Sequence, residues 1–179
     1  MTLDELNGDP LFDVAKRLRS ACASRAWIEG MSASRPFDDL AEVLCEAERI
    51  WWALEEADWM EAFAAHPRIG DSPPVATGGS AGPDAGSDAG DDAAADFSRS
   101  EQSGMADASP GVRARLAAAN KAYEQRFGFV YLVCATDKSA EEMLDQCLRR
   151  LGSEAHDELR VAGAEHVKIT RLRLEKMLA

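Results

Sequence analysis

Apolar side chains recur along this chain mostly at helical spacing, and only one short run reads as a strand. Thr2-x-x-Glu5 has the form of a capping box and predicts a short first turn. Asp9-Pro10 reads as an N-cap followed by the first helical residue. Leu11, Val14, Leu18, Ala21 and Cys22 then share a face. Ser24 caps a short helix through Trp27 to Met31, which Arg35-Pro36-Phe37 breaks. Asp38 or Asp39 opens a longer helix with Leu40, Val43, Leu44, Ala47, Ile50, Trp51 and Leu54 as a wide apolar stripe. Asp58 restarts the chain into Trp59, Met60 and Phe63. Proline disfavours the α conformation of the residue before it, so Pro67 predicts a helix end at or just before His66. All four tryptophans precede His66 and read as core packing.

The pattern lapses over residues 71–96. Apart from Val75, this stretch has no large apolar side chain, only Ala, Gly, Ser, Asp, Thr and Pro. It buries too little apolar surface to offset its ordering entropy, so it reads as a flexible, low-complexity acidic loop inserted in one domain spanning 1–179. Ser109-Pro110 opens the next helix, with Val112, Leu116, Ala119, Tyr123 and Phe127 on one face and Gly128 as the terminating glycine. Residues 129–135, Phe-Val-Tyr-Leu-Val-Cys-Ala, are the one strand-like run. A lone strand makes no sheet, which leaves a buried extended segment or a continued helix. Ser139-x-x-Glu142 is a second capping box, for a helix carrying Met143, Leu144, Cys147, Leu148 and Leu151. Gly152 ends it, and Ser153 caps a last helix to about Met177. The fold class is all-α, a single-domain multi-helix bundle.

Composition narrows the functions. The 179 residues suffice for one domain with a sizeable core, and 46% are hydrophobic. A net charge of -12 argues against nucleic acid or an anionic membrane as partner. Six aspartates and no Lys or Arg fall within 71–96, so the remainder is only moderately acidic and an anionic small molecule stays open as substrate. No apolar run reaches transmembrane length and the N-terminus lacks a signal-peptide layout. Cys22, Cys45, Cys134 and Cys147 lie in apolar patterns without C-x-x-C spacing, which predicts buried free thiols in a reducing cytoplasm and no zinc site.

Two places carry candidate chemistry. His66 sits at a helix C-terminus before a rigid turn, where unpaired carbonyls favour a cationic imidazole. It is suited to proton transfer near neutral pH, or simply to capping. Ser98-x-x-Glu101 fits a capping box; alternatively Ser98, Glu101 and Gln102 crowd a helix N-terminus that faces a small polar ligand. His156 and His166 look weaker, and no H-E-x-x-H points to a metal. Arg171 and Arg173 either cover apolar surface with their stems or turn one guanidinium inward. With no nucleophile elbow, a His–Glu pair moving protons without a cofactor fits better than covalent catalysis. The competing reading is a non-enzymatic helical binding module with an acidic tether.

Arg35-Pro36-Phe37, Glu61-Ala62-Phe63 with His66-Pro67-Arg68-Ile69-Gly70, Glu101-Gln102 with Gly104, Asn120 with Tyr123, and Phe127-Gly128-Phe129 follow one another along the chain. Val133-Cys134-Ala135, Lys138-Ser139-Ala140 and Glu165 with Lys168-Ile169 and Arg173-Leu174 come after them. In this order and over nearly the whole chain, the sequence resembles the 2-oxo-4-hydroxy-4-carboxy-5-ureidoimidazoline (OHCU) decarboxylases of the urate-to-allantoin pathway. The resemblance implies an all-helical, cofactor-free, usually dimeric enzyme that forms (S)-allantoin. It maps the catalytic pair to His66 and Glu101, and substrate contacts to Pro67, Ser98, Gln102, the backbone around Val133 and Ala135, and Arg173, with Arg171 as fallback. Asp137 and Gly152 stand where the resemblance leads one to expect glycine and asparagine; both concern turns.

Overall fold

A computed structural model describes residues 1–69, 105 and 108–179. Among them are eight helices and no strand: α1 (Leu3–Gly8), α2 (Leu11–Ala21), α3 (Arg25–Ala33), α4 (Leu40–Ala53), α5 (Glu56–Ala64), α6 (Pro110–Phe127), α7 (Ala140–Arg150) and α8 (Ala155–Leu178). The 71–96 insert lies outside the described residues. No described helix is long and apolar enough to cross a membrane.

The helix starts follow the local chemistry. The hydroxyls of Thr2, Ser24, Ser109 and Ser139 and the carboxylate of Asp39 each accept from a backbone amide of the first turn, with reciprocal capping boxes at Thr2–Glu5 and Ser139–Glu142. Three starts differ from expectation. Pro10, not Asp9, is the N-cap of α2, because the Asp9 carboxylate is drawn 2.8 Å from Arg17. Helix α5 begins at Glu56, ahead of Asp58, whose carboxylate reaches back 3.2 Å to accept from the Glu55 amide. Glu154, not Ser153, is the N-cap of α8, and the Ser153 amide instead closes the preceding turn by donating to the Arg150 carbonyl at 3.0 Å.

The long helix α8 packs against α2, α4 and α6, while α3 bridges α2, α4 and α5, and α6 pairs with α7. Trp27, Trp51 and Trp59 are buried, and Trp52 is 36% exposed, outside the expected core. The buried indoles serve the ends and crossings of α4: Trp27 Nε1 donates to the Ala47 carbonyl and Trp59 Nε1 to the Trp51 carbonyl, both at 2.9 Å. The second shares a last-turn carbonyl with the Leu54 amide, which donates to it at 3.2 Å at the end of α4. Gly30 lets α3 and α4 approach; a Cβ there would stand 2.9 Å from Ile50 Cγ2. Of the apolar faces read in the sequence, Leu11 departs most, at 61% exposed, and Cys45 is exposed rather than buried.

Residues 129–135 form a buried extended segment, the first of the two alternatives. Gly128 turns the chain out of α6 at φ 80, and Asp137, at φ 60, turns it on toward α7; Asp tolerates this left-handed region better than most residues. With no neighbouring strand, side chains satisfy much of the backbone, as burial requires. The Leu132 carbonyl accepts from Arg150 at 2.7 Å, the Cys134 amide donates to Glu165 at 2.8 Å, and the Cys134 carbonyl accepts from Lys138 Nζ at 2.7 Å. Arg150 is itself held by the fully buried Glu158 at 2.6 Å, and Tyr123 donates its hydroxyl to the same carboxylate.

Candidate active site

Helix α5 stops at Ala64, and the His66 amide donates to the Phe63 carbonyl at 3.1 Å, so the imidazole leaves the helix just before Pro67. Pro67 and Arg68 are exposed. Arg68 pairs with Glu124 of α6 at 2.8 Å, and Asn120 Nδ2 donates to the Ile69 carbonyl at 2.8 Å. Two anchors on α6 therefore hold the chain that follows the histidine.

The half-buried His66 ring turns toward α8. It meets the ring of His166 nearly edge-on, with centroids 5.1 Å apart and planes at 80°. His166 lies flat on Trp51, 4.2 Å away at 12°, and its Nδ1 is 3.2 Å from Thr170 Oγ1. His166, Thr170 and Arg173 fall at i, i+4 and i+7 on one buried face of α8. Arg173, 6% exposed, donates to the Ser20 carbonyl at 3.3 Å. Arg171 points to solvent and pairs with Glu175 at 3.0 Å, so the inward arginine is Arg173.

These groups set one another's charge. His66 is held well below its ordinary value, to about 3, first by removal from water and then by the positive charge of Arg173. His166 is likewise held well below its ordinary value, first by burial and then by the charges of His66 and Arg173. The cationic imidazole expected at the helix end is thus overturned: dehydration and a nearby guanidinium outweigh the attraction of terminal carbonyls, which is worth only about 0.3–1 kcal/mol at ordinary surface sites. At neutral pH His66 is a proton acceptor. Cys22, beside Arg173, is pushed up to about 12, mainly by burial, and stays a protonated thiol.

Val133 and Ala135 are buried in the extended segment. The Cys134 amide between them donates to Glu165 at 2.8 Å, and the Ala135 carbonyl accepts from the Lys138 amide at 3.1 Å. Cys134 meets α8 at Glu165 and His66 meets it at His166, one residue on. His66 thus packs on the face of α8 that carries His166 and Arg173, while the segment bearing Val133 and Ala135 meets the same helix at Glu165. Ser98, Glu101 and Gln102 lie outside the described residues, and their placement relative to His66 rests on the sequence. His166 was underrated in the sequence because its neighbours Glu165 and Val167 give it no motif. The usable sign was the spacing His166, Thr170, Arg173, a polar stripe interleaved with Ile169 and Leu174.

The OHCU decarboxylase family model matches residues 10–175. The chain is 34% identical over 163 residues to the uric acid degradation bifunctional protein TTL of Arabidopsis thaliana, covering 88% of this chain and 45% of that one. It is 37% identical over 83 residues to the 2-oxo-4-hydroxy-4-carboxy-5-ureidoimidazoline decarboxylase of Amia calva, covering 45% of this chain and 47% of that one. The chain thus spans less than half the length of these curated relatives. Its fold matches a crystal structure of OHCU decarboxylase in the presence of (S)-allantoin with a TM-score of 0.73 and 30% identity, over 90% of this chain and 96% of that one. A crystal structure of (S)-allantoin synthase matches at 0.68 and 16% identity, over 99% and 54%, a likeness of fold alone. With its sequence matched over all but the two ends and its helices superposing on a solved member, the chain belongs to the OHCU decarboxylase family.

Proposed function

We propose that this chain, acting as one domain, decarboxylates OHCU to (S)-allantoin in urate catabolism without a cofactor. The substrate carries a hydroxyl and a carboxylate on one ring carbon, beside a ring C=N. When the bond to the carboxylate breaks, its electron pair moves into the C=N, and carbon dioxide leaves. The neighbouring carbon and the ring nitrogen then each take a proton while the hydroxyl gives one up and becomes a carbonyl. The reaction consumes one proton overall. The substrate's own C=N is the electron sink, so the protein's tasks are to hold the ring, handle the hydroxyl proton and deliver a proton to one face.

The observation that carries this reading is His66 packed edge-on against the α8 face that bears His166 and Arg173, where burial and the guanidinium favour the neutral imidazole. A neutral imidazole accepts the hydroxyl proton, and the guanidinium binds a ring or ureido carbonyl. Glu101 orients or polarises the hydroxyl region, Ser98 and Gln102 bind the polar rim of the substrate, and Pro67 and the backbone at Val133 and Ala135 line the ring. The working form is a cytoplasmic homodimer. Leu11 and Phe12, 61% and 79% exposed, are apolar surface that a second copy would cover, and four free thiols suit a reducing compartment.

Freshly generated OHCU supplied to the protein should give optically active allantoin well ahead of the slow racemic background. His66→Asn and Glu101→Ala should each lower turnover about 10²-fold or more, the scale of lost acid–base groups. A racemic product at the background rate would leave a binding module as the better account. A near-normal rate in either folded variant would remove that residue from the mechanism.

A further inference from the structure

We infer that His166 is a positioning residue for His66, a wall that fixes how the catalytic imidazole presents its nitrogens to the substrate. The inference rests on the role given to His66 above, and starts from an oddity in the core. His166 is 1% exposed, and its Nε2 is buried with no hydrogen-bond partner among the described residues. Packing alone does not call for an imidazole there. A phenyl ring would stack on Trp51 equally well, without burying an unsatisfied polar atom at a cost of about 1–3 kcal/mol.

The ring cannot easily move. Trp51 covers one face at 4.2 Å, Phe63 lies tilted at 5.9 Å, and Nδ1 is tied to Thr170. Thr170 Oγ1 lies 3.5 Å from the Ala21 carbonyl, at the end of α2. When Thr170 donates there, it accepts from His166 Nδ1–H and leaves Nε2 as a bare lone pair; this is the tautomer the contacts favour. A fixed ring of fixed polarity then meets His66 at 80°. Rotating or flipping His66 changes what it offers to that dipole, so one orientation is selected.

Among the described residues, the groups facing His166 from the packed elements are few. Its own helix presents Arg173, and the turn after α5 presents His66. Helix α4 presents Trp51 and α5 presents Phe63, neither of which titrates. The end of α2 presents the Ala21 carbonyl, with the Cys22 thiol kept protonated nearby. A proton on either histidine is disfavoured by Arg173, and a charged His66 further disfavours a charged His166.

The test uses the full chain with ¹⁵N-labelled histidine. The substitution His166→Phe keeps the stack on Trp51 and removes both nitrogens. Thr170→Val keeps the shape and removes the partner of Nδ1. Both should shift the ¹⁵N resonances of His66 toward a different tautomer mixture. His166→Phe should also lower kcat about 10-fold or more, the scale of a misaligned catalytic group, with KM within about two-fold because substrate contacts remain. His66 resonances unchanged in both variants, or in Thr170→Val alone should His166→Phe fail to fold, would overturn the inference. A normal rate in His66→Asn would overturn the reading of the site instead, and is scored independently of the resonances.

Discussion

Arg171 and Arg173 stand two positions apart on α8 and occupy different worlds. The exposed one pairs with Glu175 at i+4, an interaction worth about 0.3–0.5 kcal/mol. The buried one donates to Ser20 and depresses both histidines. Arg171→Ala should therefore leave kcat/KM within about two-fold of the parent, whereas Arg173→Ala should lower it by about 10²-fold, the loss seen when one preorganised donor is removed. Replacing Arg173 by methionine should also let His66 titrate at higher pH, because one of the two causes of its depression is gone. Histidine NMR titration reads that directly. A His66 that titrates as before would show that burial alone holds it down. Pro67 and Arg68 were legible as neighbours of the site from the motif, while the side that His66 faces was not, since no local rule aims a side chain past a helix end.

Among the elements, the extended segment 129–135 is the most dependent on others. An extended run without a sheet is held here because Arg150, Glu165 and Lys138 bond to its backbone. Arg150 is the keystone: 7% exposed, it joins α7 to Glu158 of α8, to Tyr123 of α6 and to the Leu132 carbonyl. Arg150→Met should destabilise the protein by about 3–5 kcal/mol, because it leaves the carboxylate of Glu158 buried and uncompensated. Removing the charge pair together, in Arg150→Met with Glu158→Leu, should restore part of that loss. Urea denaturation of the two variants checks it, and equal losses would mean that the Leu132 contact, not the charge, is what matters. The run's apolar pattern and Gly128 made the segment visible in the sequence. Lys138 lies only four residues past its partner, but Arg150 and Glu165 lie 18 and 31 residues further on, where sequence spacing says nothing about contact.

For the whole molecule, one buried and one half-buried neutral histidine imply a pH dependence of stability. Both are lowered relative to an unfolded value near 6.5, so the unfolded chain takes up protons first as pH falls. Their contribution is complete above about pH 6.5 and is lost as pH drops toward the folded value of His66, about 3. Each imidazole adds a slope of up to about 1.4 kcal/mol per pH unit in that window. Denaturation midpoints should therefore fall between pH 7 and pH 5, and His166→Phe should flatten the fall by about half. A flat profile in the parent would mean that the imidazoles are charged or solvated in the fold. The sequence by itself determined the helical class, the stop before His66, most capping residues and the family, because each depends on spacing along one segment and on backbone preferences that act within a turn. Only the tertiary structure decided which arginine turns inward, that His66 is neutral, and that His166 is its neighbour. Those outcomes depend on what water is excluded and which charges meet, and helices α2, α4 and α5 supply both only together with α8, which lies about ninety residues further on.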